Sequence, residues 1–198
     1  MAQTIFRDKQ ALLTEFFSRI VRRKAVEELF DKIVESIPAT VLVNHSKEIT
    51  NGHALGVICN VLRQKRESNP SVARWLKDLL QHKDPKVKAY AAEALGDLHV
   101  RSAAPQLHKL FRAQANPVYV RDNSAMALGL LKYRQATREL LKELNSPHRT
   151  IRLTSAFALG NIGSPSTRQP LEARLARESD QSVKDAIIFA LEKLLKKK

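Results

Sequence analysis

The sequence predicts an all-α protein, a right-handed superhelix of stacked helical hairpins, and two observations lead to this prediction. The triplet Ala-Leu-Gly recurs at a nearly constant step and ends at Gly96, Gly129 and Gly160. Nine residues before each of these glycines stands a β-branched residue followed by a base. A fixed period of about 20–50 residues is typical of repeat proteins, whose units bury their apolar faces against their neighbours.

The composition fits such an array and adds a strong positive charge. Glycine and aromatic residues are scarce, whereas 43% of the residues are hydrophobic, which is enough to build a core. The chain has 34 Lys and Arg against 20 Asp and Glu, a net charge of +14. This excess favours association with polyanions or with acidic protein surfaces, although it is also compatible with a merely soluble basic surface.

Each repeat unit is predicted to contain two helices separated by a short turn. The dipeptides that precede the first helices are Asp84-Pro85, Asn116-Pro117 and Ser146-Pro147. Asp, Asn and Ser are favoured N-caps, and proline is tolerated in the first turn of a helix. Leucines at helical spacing, such as Leu107 and Leu110, mark the second helix. We expect each triplet glycine near the end of a first helix, in the left-handed conformation.

The unit of about 32 residues resembles the HEAT repeat, and specifically the phycobilin-lyase type of HEAT-like repeat. The resemblance is carried by residues 84–96 and by the two later copies of this segment, which end at Gly129 and Gly160. It covers residues 84–195. It implies a right-handed α-α superhelix, that is, a HEAT/armadillo-type solenoid. We expect residues 1–50 to form an N-terminal helical cap and residues 51–198 to form the repeats. The expected units are 51–83, which is degenerate, 84–115, 116–145, 146–179 and the terminal half-repeat 180–198.

Two segments before the clear repeats are harder to interpret. The string Ala54-Leu55-Gly56 lies 40 residues before Gly96, out of phase with the period, and we interpret it as coincidence. Residues 37–43 are predicted to be a linker or a short extended piece.

The sequence contains no recognisable catalytic or metal-binding constellation. No two of the six histidines are spaced at i and i+4, and no His-Glu dipeptide occurs. Deoxyhypusine hydroxylases are similar in build but bind iron through His-Glu pairs, so the sequence argues against that activity. The single cysteine, Cys59, lies in an apolar run and is expected in the core of a protein from a reducing compartment. With no apolar run long enough to span a membrane and no signal sequence, we expect a cytoplasmic protein.

The candidate binding residues are cations on the second helices, away from their leucine stripes. These residues are Lys109, Arg112, Arg138, Lys142, Arg174 and Arg177. Stacking of the units would align them in a column on the concave surface, where repeat arrays usually bind their partners. The alternative is a solvated helix face. A separate set recurs in the first helices, and we predict that it is structural and bridges to acids or carbonyl groups of neighbouring units. Its members are Lys88, Arg121, Arg152 and Lys184.

A second candidate pocket involves Trp75 and Asp78, which are three residues apart and share a helix face. The pair is similar to the aromatic and acidic side chains of HEAT-like alkylpurine DNA glycosylases. The alternative interpretation is that Trp75 packs in the core and Asp78 is solvated.

Together these features favour a non-catalytic scaffold that binds an acidic protein partner and needs no cofactor. Two alternatives stay open. The repeat type implies a phycobilin lyase subunit or a phycobilisome-related factor, with a bilin cofactor and a second HEAT-like chain as its partner. The positive charge is also compatible with nucleic-acid binding.

Overall fold

The computed structural model describes residues 11–16, 18–19, 27–47, 49 and 51–196. Within these ranges the regular secondary structure is helical and no β-strand occurs, which confirms the predicted all-α class. Residues 1–10 and 20–26 of the expected N-terminal cap lie outside the described ranges. The chain divides into two compact units, residues 1–94 and residues 95–198.

The first unit consists of helices and short connections. Residues 11–16 are helical. The helices that follow are α1 (Glu27–Ser36), α2 (Ala39–Ser46), α3 (Gly52–Lys65), α4 (Pro70–Leu79) and α5 (Pro85–Asp97), whose last turn belongs to the second unit. The predicted linker or extended piece at residues 37–43 is wrong. Pro38 precedes the first residue of α2, and this helix buries Leu42 and Val43, so apolar burial outweighs the turn propensity of the proline.

The second unit alternates long and short helices. Its helices are α6 (Ala104–Arg112), α7 (Val118–Leu130), α8 (Thr137–Glu143), α9 (Arg149–Ile162), α10 (Arg168–Leu175) and α11 (Gln181–Leu195). Short 3₁₀ turns at Arg101–Ala103, Arg134–Ala136 and Pro165–Thr167 precede α6, α8 and α10. The first helices pack in succession, α7 on α9 and α9 on α11, while α6 contacts α7 and α8 contacts α9. This arrangement is the repeated helical hairpin that the sequence period predicts.

The core is built from the positions that the period identifies. Val120 and Leu128 of α7 are fully buried, and so are Ile151 and Leu159 of α9. Burying one such side chain contributes about 1.5–3 kcal/mol relative to leaving it exposed. The spacing of these residues along each helix therefore fixes which face turns inward.

The expected conformation of the triplet glycines is wrong. Gly96, Gly129 and Gly160 lie inside their helices, and none of them has a positive φ. The left-handed residues come three positions later, at His99 (φ 52°), Lys132 (φ 53°) and Gly163 (φ 67°). The glycines instead allow close helix packing. A β-carbon on Gly96 would lie 2.8 Å from the Cα of Ala127 in the next first helix, and the same position on Gly160 would lie 2.6 Å from the Cα of Ala190.

Some residues at the predicted helix starts cap the helix with their side chains, and others do not. Asp84 Oδ1 accepts a hydrogen bond from the Lys86 backbone N–H (2.8 Å), and Asp180 Oδ1 accepts one from the Val183 N–H (3.1 Å). Asn116 does not cap α7: its side-chain amide donates to the Leu110 carbonyl oxygen (2.9 Å) near the end of α6. The Asn116 side chain therefore links the segment before α7 to the end of α6. The local sequence does not show this contact.

The string Ala54-Leu55-Gly56 is part of α3, and Gly56 has a packing role of its own. A β-carbon on Gly56 would lie 2.5 Å from the ring of Tyr90. The position is therefore constrained by an aromatic side chain, not by the alanine that faces the triplet glycines of the later units.

Candidate functional site

The six candidate cations lie on the second helices of the second unit or just after them. Leu107, Phe111, Leu140 and Leu171 occupy the opposite, buried sides of the same helices. The residues that are exposed to solvent are Lys109, Arg112, Arg138, Lys142 and Arg177. Arg174 is half-buried. The amphipathic pattern of each short helix therefore directs its cations to the surface.

Three of the six cations line one cleft between α6 and α8, which we call the α6–α8 cleft. Its volume is about 460 Å³. The lining residues are Phe111, Arg112, Gln114, Arg138, Glu139, Lys142 and Glu143. Lys109, Arg174 and Arg177 are not among these lining residues, so the structure brings together half of the predicted column at this place.

The two glutamates of the α6–α8 cleft are already paired within the protein. Glu143 Oε1 lies 2.9 Å from an Arg121 guanidinium nitrogen and accepts a hydrogen bond from the Gln114 amide (3.2 Å). Glu139 lies 3.3 Å from His108 Nε2 and 3.7 Å from Arg112 Nε. The guanidinium groups of Arg121 and Arg112 offset the negative charge of these two acids.

Arg138 and Lys142 differ from these paired residues. Both are exposed, and among the described residues neither side chain has a hydrogen-bond or ion-pair partner. Since they are four residues apart on α8, their side chains project from the same face of the helix. The cleft thus carries two unpaired positive charges next to the Phe111 side chain, which is itself buried.

Arg121 is a buried arginine that contacts both helices of the α6–α8 cleft. Its side chain is only 5% exposed, its Nε donates to the Phe111 carbonyl oxygen (3.1 Å), and its guanidinium lies 5.9 Å from the centre of the Phe111 ring. The carbonyl belongs to the last turn of α6 and the acid Glu143 to α8. One first-helix arginine therefore connects the second helices of two neighbouring units.

Arg152 occupies the equivalent position in the next unit and behaves similarly. Its guanidinium holds both carboxylate oxygens of Glu178 (2.9 and 3.2 Å) and donates to the Ser146 carbonyl oxygen (3.1 Å). Arg174 pairs with the same carboxylate. The Arg152 hydrogen bond is the main cause that lowers the pKa of Glu178 from 4.5 to about 2, and the Ser179 and Asp180 backbone N–H groups donate to the same carboxylate. Arg174, a candidate binding cation, is therefore engaged inside the protein.

Trp75 and Asp78 lie together in the first unit. With Val43, Lys47, Ser71 and Arg74 they line a second cleft, of about 380 Å³, between α2 and α4, which we call the α2–α4 cleft. Trp75 is 8% exposed, so its ring is largely packed in the core, as the alternative interpretation of this pair expects. Asp78 is exposed on the adjoining turn.

Sequence reasoning missed the acidic and histidine partners of the α6–α8 cleft. Glu139 and Glu143 are four residues apart on the predicted second helix, and each directly follows one of the cations Arg138 and Lys142 in the sequence. This spacing could have identified the two glutamates as part of the candidate site. The partner of Glu143 could not be derived from it, because Arg121 reaches the acid from a different helix.

The part of the chain that the structure describes contains neither a metal-type cluster nor a membrane-spanning helix. No three His, Cys, Asp or Glu side chains cluster there as a metal site requires. None of the helices described is both long enough and apolar enough to cross a membrane.

Comparison with protein families identifies the repeats. Residues 104–192 match the model of HEAT repeats, and residues 87–112 match the model of the PBS lyase HEAT-like repeat. The chain is a HEAT-like repeat protein. The resemblance inferred from the Ala-Leu-Gly period is thereby confirmed.

Two curated proteins are similar to this HEAT-like repeat protein. Deoxyhypusine hydroxylase of Candida glabrata is 27% identical over 173 residues, which are 85% of this chain and 52% of the hydroxylase. A protein encoded in the gldA 3′ region of Geobacillus stearothermophilus is 37% identical over 76 residues, 38% of this chain and 35% of that protein. The chain therefore spans about half the length of the first relative and about a third of the second.

A solved structure shows the same fold. A designed armadillo repeat protein in complex with the peptide (KR)4 matches with a TM-score of 0.62 at 17% identity, covering 94% of this chain and 92% of the designed protein. The likeness confirms the HEAT/armadillo solenoid class.

Proposed function

We propose that this HEAT-like repeat protein is a scaffold that binds an acidic segment of a protein partner in the α6–α8 cleft. The observation that carries the proposal is the pair Arg138 and Lys142, which are exposed and have no partner among the described residues. An acidic side chain that docks between them gains two charge-assisted contacts without displacing an internal ion pair.

The electrostatics of the cleft support the same partner. Arg121 and Arg112 pair with Glu143 and Glu139, which reduces the repulsion between these two glutamates and an incoming carboxylate. The net charge of +14 also accelerates the encounter with an acidic surface at low ionic strength. Affinity in the cleft is therefore expected to fall as salt is added.

The designed armadillo protein named above supports only the general mode of binding. Its structure contains a peptide, (KR)4, and that peptide is basic. In this chain the exposed side chains of the α6–α8 cleft are cationic, so a ligand of the opposite sign is expected here.

The test measures binding of a short fluorescein-labelled poly-glutamate peptide by fluorescence anisotropy, using the full chain. The variant R138E/K142E is expected to bind at least roughly tenfold more weakly, because two attractive contacts become repulsive. The matched control is R101E/R134E, which removes the same charge from two exposed arginines that do not line the cleft. Equal losses in both variants would show that only net charge matters, and the proposed site would then be wrong.

Nucleic-acid binding is separated from this proposal by a second probe. A labelled DNA duplex is titrated at the same ionic strength, since phosphate contacts give a steep dependence of affinity on salt. Weaker binding of DNA than of poly-glutamate is expected. Tighter binding of DNA that is lost in R138E/K142E would assign the cleft to nucleic acid and overturn the proposal.

A further inference from the structure

The α2–α4 cleft contains unpaired charges of both signs beside an aromatic ring. Lys47 lies at the end of α2, and Arg74 and Asp78 lie one turn apart on α4. Among the described residues, none of these three side chains has a hydrogen-bond or ion-pair partner. Arg74 and Asp78 stand at i and i+4, where such residues often pair with each other. Their charges are instead available to a ligand.

The charges are ordered along α4. Ser71 lies in the first turn of the helix, Arg74 follows one turn later, and Asp78 lies a further turn towards the C-terminal end. Lys47 approaches from α2. Because Arg74 is a cation without a partner among the described residues, the end of the cleft near Ser71 and Arg74 attracts an anion. The end near Asp78 attracts a hydrogen-bond donor.

Between these two ends the cleft has an apolar wall. Trp75 is 8% exposed and Val43 is 1% exposed, so both are fixed by the core behind them. A volume of about 380 Å³ is large enough for one or two amino-acid residues and too small for a folded domain. A ligand that fits all these groups carries a carboxylate, an adjacent apolar group and an N–H donor.

We infer that the α2–α4 cleft binds the C-terminus of a peptide that ends in an apolar residue. The terminal carboxylate lies between Lys47 and Arg74, since the guanidinium of arginine pairs with both carboxylate oxygens. The terminal apolar side chain packs against the part of Trp75 that remains accessible. The backbone N–H of the last residue donates to the Asp78 carboxylate. This site is separate from the α6–α8 cleft and does not depend on the function proposed there.

The chain provides its own reporter for this site. Trp75 is the single tryptophan of the protein, so intrinsic tryptophan fluorescence reports on this cleft alone. The full chain is titrated with the peptide acetyl-Gly-Ala-Leu bearing a free carboxylate, and with the same peptide as the C-terminal amide. We expect a saturable change in emission, with at least roughly tenfold tighter binding of the free acid, because the amide lacks the charge that Arg74 and Lys47 recognise.

Two variants test separately the recognition of the terminal carboxylate and that of the backbone N–H. Arg74→Gln is expected to reduce the preference for the free acid several-fold, since only Lys47 is left to recognise the carboxylate. Asp78→Ala is expected to weaken the acid and the amide peptide alike, since both carry the backbone N–H. Lys83→Gln is the matched control for Arg74→Gln, because Lys83 is exposed, carries the same charge and does not line the cleft. All three positions are exposed, so the fold is expected to tolerate the changes.

Further peptides distinguish a chain end from other carboxylates. Acetyl-Gly-Ala-Leu-Glu-amide carries an acidic side chain but no terminal carboxylate, and it is expected to bind no better than the amide of the shorter peptide. Equal binding of acid and amide, no change in emission with any peptide, or unchanged preference in Arg74→Gln would each overturn the inference. The double variant R138E/K142E is expected to give the same Trp75 titration as the unmodified chain, so failure here and failure at the α6–α8 cleft are told apart.

Discussion

Gly129 of α7 lies directly against Ala158 of α9, with so little space that a β-carbon on the glycine would be 2.6 Å from the Ala158 Cα. The alanine belongs to the Ala-Leu-Gly triplet of the following unit. The same relationship joins Gly96 to Ala127. The recurring triplet is thus the contact surface between consecutive first helices, with the glycine of one unit receiving the alanine of the next.

Replacing Gly129 by alanine is expected to destabilise the second unit. Alanine favours a helix over glycine by about 1 kcal/mol, but the new methyl group meets backbone atoms that can move only if the two helices separate. Overpacking of this kind costs roughly 1–3 kcal/mol, to which the separation of α7 and α9 adds. Urea unfolding followed by circular dichroism measures the net change, which we expect to be unfavourable.

Gly56→Ala is the comparison for this substitution. The added methyl group there meets the side chain of Tyr90, which is 40% exposed and is free to rotate outwards. A smaller loss of stability is therefore expected than for Gly129→Ala. If Gly129→Ala stabilises the protein as a simple helix-propensity change would, close packing is not the reason for the glycine.

The period of the sequence predicted the helical hairpins because it reflects which residues face the core. It did not predict the role of the glycines. A glycine near a helix end is compatible both with a left-handed turn and with a close helix contact, and the second depends on a neighbour 31 residues away, as for Gly96 and Ala127. Position in the repeat alone does not distinguish the two.

The candidate site, like the fold, was predictable from the sequence only in part. The amphipathic pattern placed Arg112, Arg138 and Lys142 on the surface of the second helices, and all three line the same cleft. The pattern could not show which cations are held inside the protein. Arg174 has the same spacing as a surface residue, but Glu178 lies in the following turn and engages it. The pair stands at i and i+4, but the spacing does not show that Glu178 is buried and that Arg152 of α9 holds both oxygens of the same carboxylate.

The low pKa of Glu178 predicts a specific loss of stability in acid. The pKa is about 2 in the folded protein against an ordinary value of 4.5, so the unfolded chain takes up the proton first as the pH falls. The contribution of this carboxylate is therefore complete above about pH 4.5 and is lost progressively down to pH 2. Glu178→Gln is expected to reduce the dependence of unfolding free energy on pH in this window.

The measurement is a series of urea unfolding curves between neutral pH and the acid limit for both proteins. Glu172→Gln serves as control, since Glu172 is exposed and its one ion-pair partner among the described residues is Arg168 on the same helix. Parallel pH profiles for Glu178→Gln and the unmodified chain would show that the pKa of Glu178 is not lowered in the folded protein.

Arg121 is expected to matter far more for stability than its exposed neighbours. In Arg121→Met the Phe111 carbonyl loses its donor and Glu143, whose side chain is 13% exposed, loses its cation. Removing one partner of a buried pair costs roughly 3 kcal/mol. Arg138→Met, which removes the same charge from an exposed position, is expected to change the unfolding free energy by less than about 0.5 kcal/mol. Similar values for the two variants would show that the Arg121 contacts contribute little.

Lys65 connects three helices of the first unit and gives the last prediction. Its side chain is 4% exposed, and its ammonium group donates to the Val34 carbonyl at the end of α1 and lies 3.3 Å from Glu67. Glu67 in turn accepts a hydrogen bond from the Ala39 N–H at the start of α2. In Lys65→Met the α1–α2 corner loses this charge-assisted link to the end of α3. Amide hydrogen exchange of Ala39 and of the last turn of α1 is expected to accelerate by roughly tenfold. Lys32→Met, at an exposed position on α1, is expected to leave these rates unchanged, and equal rates in the two variants would show that Lys65 does not hold the corner.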